Sequence, residues 1–264
     1  MKPVDLVVMD WGIGGLSVYN EILKKMSGLS ILYFSDSGSM PYGKMDPEKL
    51  KQRLLQLISN FSDQGVKHFV IACNAASTAL PSLEKEFSKK NLHVIGVIDC
   101  GVALVKSTPH RKVGILGGRR TILSHCYSKR LTSKNRKVIG RIAQPLSALI
   151  ESGELVSSRM TKTLNQILKP LRNCDAILLA CTHYPAVSSQ IQNILPHCKL
   201  LDPAATVATY IKKNWKLESS SAKKKSSTLF LTSGDTEQMK NAAKAAFGIQ
   251  IYRALKVSLI KTKK

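Results

Sequence analysis

The sequence predicts an α/β protein made of two matched halves, each an open, mainly parallel sheet flanked by helices. Three observations carry this. Apolar runs of four to six residues alternate with longer segments of helical period, as in parallel strands buried on both faces. Two of these runs end alike: His68-Phe-Val-Ile-Ala-Cys73-Asn and Asp175-Ala-Ile-Leu-Leu-Ala-Cys181-Thr each place a thiol where a buried strand leaves its sheet, 108 residues apart. The echo extends upstream, where the strand ending at Asp10 runs into Gly12, Gly14 and Gly15, and Val113 to Leu116 runs into Gly117 and Gly118. Asp10 precedes Cys73 by 63 residues, and Gly117 precedes Cys181 by 64. Matched features at matched spacing imply equivalent halves, each delivering one thiol to a shared cleft.

In chain order, strands are expected near 4–9, 30–34, 68–72, 93–97, 112–116, 136–141, 175–180, 198–201 and 228–232. The clearest helix covers 48–61, where Leu50, Leu54, Leu57, Ile58 and Phe61 recur at helical spacing after Asp46-Pro47, a cap followed by proline in the first turn. Residues 216–227 have no hydrophobic period and read as a flexible surface loop. The turn Thr232-Ser233-Gly234-Asp235 then leads into a helix over 237–247, so the residues past that loop belong to the folded body.

A chain of 264 residues, 44% of them hydrophobic, can bury a core for two such units. No apolar stretch approaches the roughly 18 residues that span a bilayer, and Met1-Lys2-Pro3 leads straight into a strand, so a cytoplasmic protein without a membrane partner is expected. Its six cysteines should then be reduced. Forty Lys and Arg against 17 Asp and Glu give a net charge of +23, which attracts anions from nucleic acid to small dicarboxylates. With no basic helix interleaved with aromatics and no zinc-finger or RNA-binding signature, the charge reads first as a solvated coat spread along the chain. Nucleic-acid contact through it is open but not favoured.

In an open parallel sheet, ligands sit outside the carboxyl ends of the strands, where this chain places Asp10, Cys73 and Cys181. Helices following both cysteines would favour thiolate through their dipoles. His183, two residues beyond Cys181, and Asp10 can each exchange a proton beside a thiol. Cys100, Cys126, Cys174 and Cys198 have no such twin and read as small buried hydrophobes. A metal held by Cys174, Cys181 and His183 matches no familiar spacing, and no metal is expected. The Gly12-Ile-Gly14-Gly15 turn lacks both the dinucleotide and the Walker pattern and reads as a turn whose N–H groups admit a small anion. Asp36-Ser37-Gly38 before Pro41-Tyr42-Gly43 reads as a plain turn.

Asp10-Trp-Gly-Ile-Gly-Gly-Leu-Ser, Asp36 with Pro41-Tyr42-Gly43, Ala72-Cys73-Asn74, Gly96-Val97-Ile98, Cys181-Thr182-His183-Tyr184-Pro185 and Thr232-Ser233-Gly234-Asp235 together resemble the glutamate racemases of the aspartate/glutamate racemase superfamily. The motifs stand in that family's order over nearly the whole chain. The resemblance implies a cofactor-independent racemase with two pseudo-symmetric α/β domains and the active site in the cleft between them, at 1–98 plus 208–264 and at 99–207. It implies that Asp10 assists Cys73 and His183 assists Cys181. It also implies that Trp11, Pro41, Tyr42, Gly43, Asn74, Ala75 and Thr182 surround an acidic amino acid, with D-glutamate destined for peptidoglycan. Thr121 and Glu151 match where the second half diverges from the family. A homodimer is left open.

Two positions depart from the family pattern: Trp11 stands where serine is usual, and Ala75 where threonine is usual. Both changes remove a hydroxyl from the substrate's surroundings, so weak turnover of glutamate, or another acidic amino acid as substrate, is the expectation. Two other classes stay in view. A non-catalytic descendant would use the basic surface to bind a macromolecule, and a cysteine hydrolase would use Cys181 and His183 but leave the repeated Cys73 without a role.

Overall fold

The computed structural model describes residues 4–215, 217 and 226–258, and within these two all-parallel sheets organise the chain. The strands are β1 (Leu6–Asp10), β2 (Ser30–Ser35), β3 (His68–Ile71), β4 (His93–Gly96), β5 (Lys112–Gly117), β6 (Lys137–Ile142), β7 (Ala176–Ala180), β8 (Lys199–Leu201), β9 (Ser227–Thr232) and β10 (Ala254–Lys256). The sheet orders are β10-β9-β2-β1-β3-β4 and β6-β5-β7-β8. The run β2-β1-β3-β4 is therefore repeated as β6-β5-β7-β8, with β1 equivalent to β5 and β3 to β7. Cys73 and Cys181 leave corresponding strands, as the sequence echo requires.

Nine strands fall where the sequence places them. The tenth, β10, was not expected, because three half-buried to exposed residues at a sheet edge carry no apolar run of their own. Its pairing with β9 creates it. The loop expected over 216–227 lies mostly outside the described residues, and Ser227 already begins β9.

Local chemistry fixes the helices. Pro47–Ser62 starts where the Asp46 carboxylate accepts the N–H groups of Glu48 (2.9 Å) and Lys49 (3.2 Å), and it buries the five apolar residues of its periodic face. Thr236–Phe247 is capped by Asp235 and stopped by Gly248 at φ 66°, a left-handed turn that suits glycine. β1 and β7 are buried along their whole length, consistent with helices on both faces. One apolar cluster joins the two halves, running from Leu6, Leu16 and Ile22 to Leu164, Ile177 and Ile211, and helices Leu16–Lys25 and Ala204–Asn214 pack together within it.

Candidate active site

The carboxyl ends of both sheets open onto one cavity of about 350 Å³, near the small end for ligand pockets. The first half supplies Asp10 and Trp11 from the exit of β1, Pro41, Tyr42 and Gly43 from the segment after β2, and Cys73, Asn74 and Ala75 from the exit of β3. The second half supplies Thr121 after β5, Glu151, and Cys181, Thr182 and His183 from the exit of β7. All thirteen residues singled out in the sequence line this cavity. Lys44, Gly118, Gln144, Pro145, Ser147, Ala148 and Ala180 line it too and were missed. The internal repeat held a signal for Gln144 and Pro145, since they follow β6 as Pro41–Gly43 follow β2.

On one wall, the Asp10 carboxylate is buried and accepts hydrogen bonds from the Trp11 N–H (2.7 Å) and the Thr182 hydroxyl (2.9 Å). Burial raises its pKa against these contacts and the opposing pull of His183. Burial and the Asp10 charge push the Cys73 thiol well above its ordinary value, and charge on Cys181 adds to this. On the other wall, Cys181 Sγ lies 3.7 Å from His183 Nδ1 and 3.5 Å from Ser147 Oγ, while His183 Nε2 lies 2.6 Å from Glu151 Oε1. Burial pulls the His183 pKa down, but the contacts with Cys181 and Glu151 outweigh it and leave the imidazole raised well above the ordinary value. The walls therefore differ: one sets a thiol beside a buried carboxyl, the other a thiol beside an imidazole that is also hydrogen-bonded to a carboxylate.

Three readings from sequence change. The anion at the Gly12–Gly15 turn is the protein's own: Ile13 N–H donates to Glu151 Oε1 at 2.7 Å. A Cβ at Gly12 would collide with that carboxylate, and one at Gly14 would sit 2.7 Å from Thr182 Oγ1 and against the His183 ring. These glycines clear space for side chains arriving from the second half. Asp36 belongs to no plain turn. It is fully buried, receives a fork from Arg53 (2.6 and 2.9 Å), and accepts from Tyr42 OH and Ser233 Oγ, both at 2.8 Å, fixing the loop that carries Tyr42. The helices after the thiols are single turns, Asn74–Ser77 and the 3-10 turn Tyr184–Val187, so their dipoles give the thiolates little help.

The hydrogen-bond partners limit what each lining residue can offer a ligand. Tyr127 OH donates to Asn74 Oδ1 at 2.7 Å, leaving the Asn74 amide as a donor. Tyr42 spends its hydroxyl on Asp36 and Thr182 spends its own on Asp10. Trp11 stands in the cavity wall and anchors its indole N–H on Ser39 O at 3.0 Å. Arg120, from the second half, donates to the Tyr42 carbonyl at 2.9 Å and to that of Met45, tying the loop across the cleft. Cys174 precedes β7 while Cys181 follows it, which rules out the ligand set Cys174, Cys181 and His183. Among the described residues no three His, Cys, Asp or Glu side chains gather as a metal site.

Two strand-exit thiols with titratable neighbours, carried by equivalent strands of a duplicated α/β unit, line one small cavity and mark it as an enzyme's site. Residues 6–211 match the Asp/Glu/hydantoin racemase family, and the chain belongs to that family of isomerases. The glutamate racemase of Streptococcus gordonii is 36% identical over 202 residues, 75% of this chain and 76% of that protein. Among solved structures, the Bacillus anthracis glutamate racemase isoform RacE1 has a TM-score of 0.86 and 29% identity, covering 98% of this chain and 99% of that one. The Francisella tularensis glutamate racemase in complex with D-glutamate has a TM-score of 0.84 and 26% identity, covering 98% and 99%. No helix among the described residues is long and apolar enough to cross a membrane.

Proposed function

We propose that this chain interconverts the enantiomers of glutamate by a cofactor-independent two-thiol mechanism. The carrying observation is the pair of strand-exit thiols, one from each half and each with its own titratable neighbour, lining one cavity. An enantiomer bound with its α-hydrogen toward Cys181 gives that proton to the Cys181 thiolate, whose charge the His183 imidazolium balances. The carbanion takes a proton from the Cys73 thiol on the opposite face, leaving Cys73 as thiolate beside Asp10. Product release returns an enzyme primed for the other enantiomer. The Asn74 amide, Thr121 and the backbone of Tyr42 and Gly43 are assigned to the substrate's charged groups, whereas Thr182 acts through Asp10. The division into 1–98 plus 208–264 and 99–207, cytoplasmic location and supply of D-glutamate to peptidoglycan complete the reading.

The test measures racemisation and α-hydrogen exchange in D₂O for glutamate and aspartate. Cys73→Ala and Cys181→Ala should each abolish net interconversion while the fold persists, and Cys100→Ala should not. Full racemisation by either single-thiol variant would overturn the mechanism. Efficient turnover of aspartate with none of glutamate would move the substrate to the second acidic amino acid.

A further inference from the structure

The charge excess is not an even coat. Residues 4–98 carry ten Lys and Arg against nine Asp and Glu, residues 99–207 carry sixteen against five, and residues 208–264 carry thirteen against three. Within 99–207, topology gathers much of the surplus at the amino edge of the second sheet, the end opposite the cavity. Lys112 begins β5 with Arg111 before it, Lys137 begins β6 with Lys134 in the turn leading to it, Arg172 lies shortly before β7, and Lys199 begins β8. All six are exposed. Lys112 and Lys137 are register partners, and Lys199 pairs with Ala176, so these lysines line an edge about 14 Å across at the usual strand spacing.

Within these segments a single carboxylate stands against the six cations. That acid, Asp175, spends one carboxylate oxygen on the N–H groups of Arg111 (2.9 Å) and Lys112 (2.8 Å), and none of the six cations joins an ion pair among the described residues. In the first half, by contrast, Lys24, Lys51 and Lys89 each pair with a glutamate three residues away. Lysines held side by side in register repel one another, a cost that a bound polyanion removes. None of the large hydrophobic side chains exposed among the described residues belongs to these segments, so the edge has nothing to insert into a lipid surface. We propose that the amino edge of β5–β8 is a docking surface for the phosphodiester backbone of nucleic acid, sequence-independent and separate from the racemase cavity.

The experiment follows binding of the full chain to a labelled DNA duplex and to single-stranded RNA of equal length by fluorescence anisotropy across a salt series. The parent protein should bind with a Kd of about 1 to 100 μM near physiological salt, and affinity should fall steeply as salt rises. The triple change Lys112→Glu, Lys137→Glu, Lys199→Glu should flatten the log K against log salt slope for duplex by about 3, one contact per lysine. A control triple of the same charge change, Lys49→Glu, Lys67→Glu, Lys85→Glu, should leave that slope within about 1 of the parent. Racemase rates should be unchanged in both. If the glutamate set fails to fold, the corresponding Lys→Gln set serves, with the same change of slope, because each substitution still removes one phosphate contact. Equal weakening by both triples would show a diffuse coat and overturn the proposal, as would binding to phosphatidylserine vesicles without binding to either nucleic acid.

Discussion

Replacing Glu151 by glutamine tests the least expected feature of the site, a carboxylate that serves both the Gly12–Gly15 turn and the His183 imidazole. Glutamine keeps the shape and can still accept from the Ile13 N–H, so what is lost is the charge facing His183 Nε2 at 2.6 Å. Both side chains are largely buried, at 6% and 12% exposure, so solvent screens the pair little. A hydrogen bond to a charged group contributes about 1.5 to 3 kcal/mol, equivalent to about 10- to 150-fold in rate. That loss should fall on the direction in which Cys181 is the base, because the imidazolium stabilises its thiolate. His183 is raised in the folded state, so its stabilising contribution is present below its unfolded pKa and is lost as pH rises through the folded one. Without the Glu151 charge the folded value falls, and the alkaline decline in rate should move to lower pH. Initial rates from each enantiomer by circular dichroism, from neutral to alkaline pH, read both effects. Gly12→Ala, whose Cβ displaces the same carboxylate, should reproduce them. Unchanged rates in both directions with an unmoved alkaline limb would refute the coupling and reduce Glu151 to a filler.

The other expectations concern the opposite wall, the pocket lining and the cleft tie. Asp10→Asn should slow the direction in which Cys73 is the base by about 10²- to 10⁴-fold, as for a lost general acid or base, and should raise the melting temperature at neutral pH because a buried carboxylate is relieved. Loss of stability instead would mean that the contacts from Trp11 and Thr182 outweigh burial. The double change Trp11→Ser with Ala75→Thr should raise kcat/KM for glutamate roughly tenfold, if one hydrogen bond to a charged group is regained. An already efficient parent with no gain would show the indole to be harmless in the wall. Arg120→Gln should raise KM more than it lowers kcat, because the loop carrying Tyr42 loses its tie to the second half; an unchanged KM would show the loop held by Asp36 alone.

The sequence by itself determined nine of the ten strands and the duplication. Apolar runs such as Val7-Val8-Met9 and Ile177-Leu178-Leu179 leave no alternative to buried parallel strands, and a thiol directly after such a run must emerge at the carboxyl edge, whatever packs around it. Strand identity and edge position are local properties, which is why Asp10, Cys73, Cys181 and His183 could be placed in advance. Tertiary structure alone decided which groups face one another. The contact of Glu151 with Ile13 spans 138 residues, that of Thr182 with Asp10 spans 172, and that of Ser233 with Asp36 spans 197. No periodicity encodes such pairs, because each depends on two chain segments brought together by a shared core. The proton affinities of the site have the same origin. Burial sets the shifts of Asp10 and Cys73, and for His183 the contact with nearby Cys181, joined by Glu151 from another helix, reverses what burial alone would do.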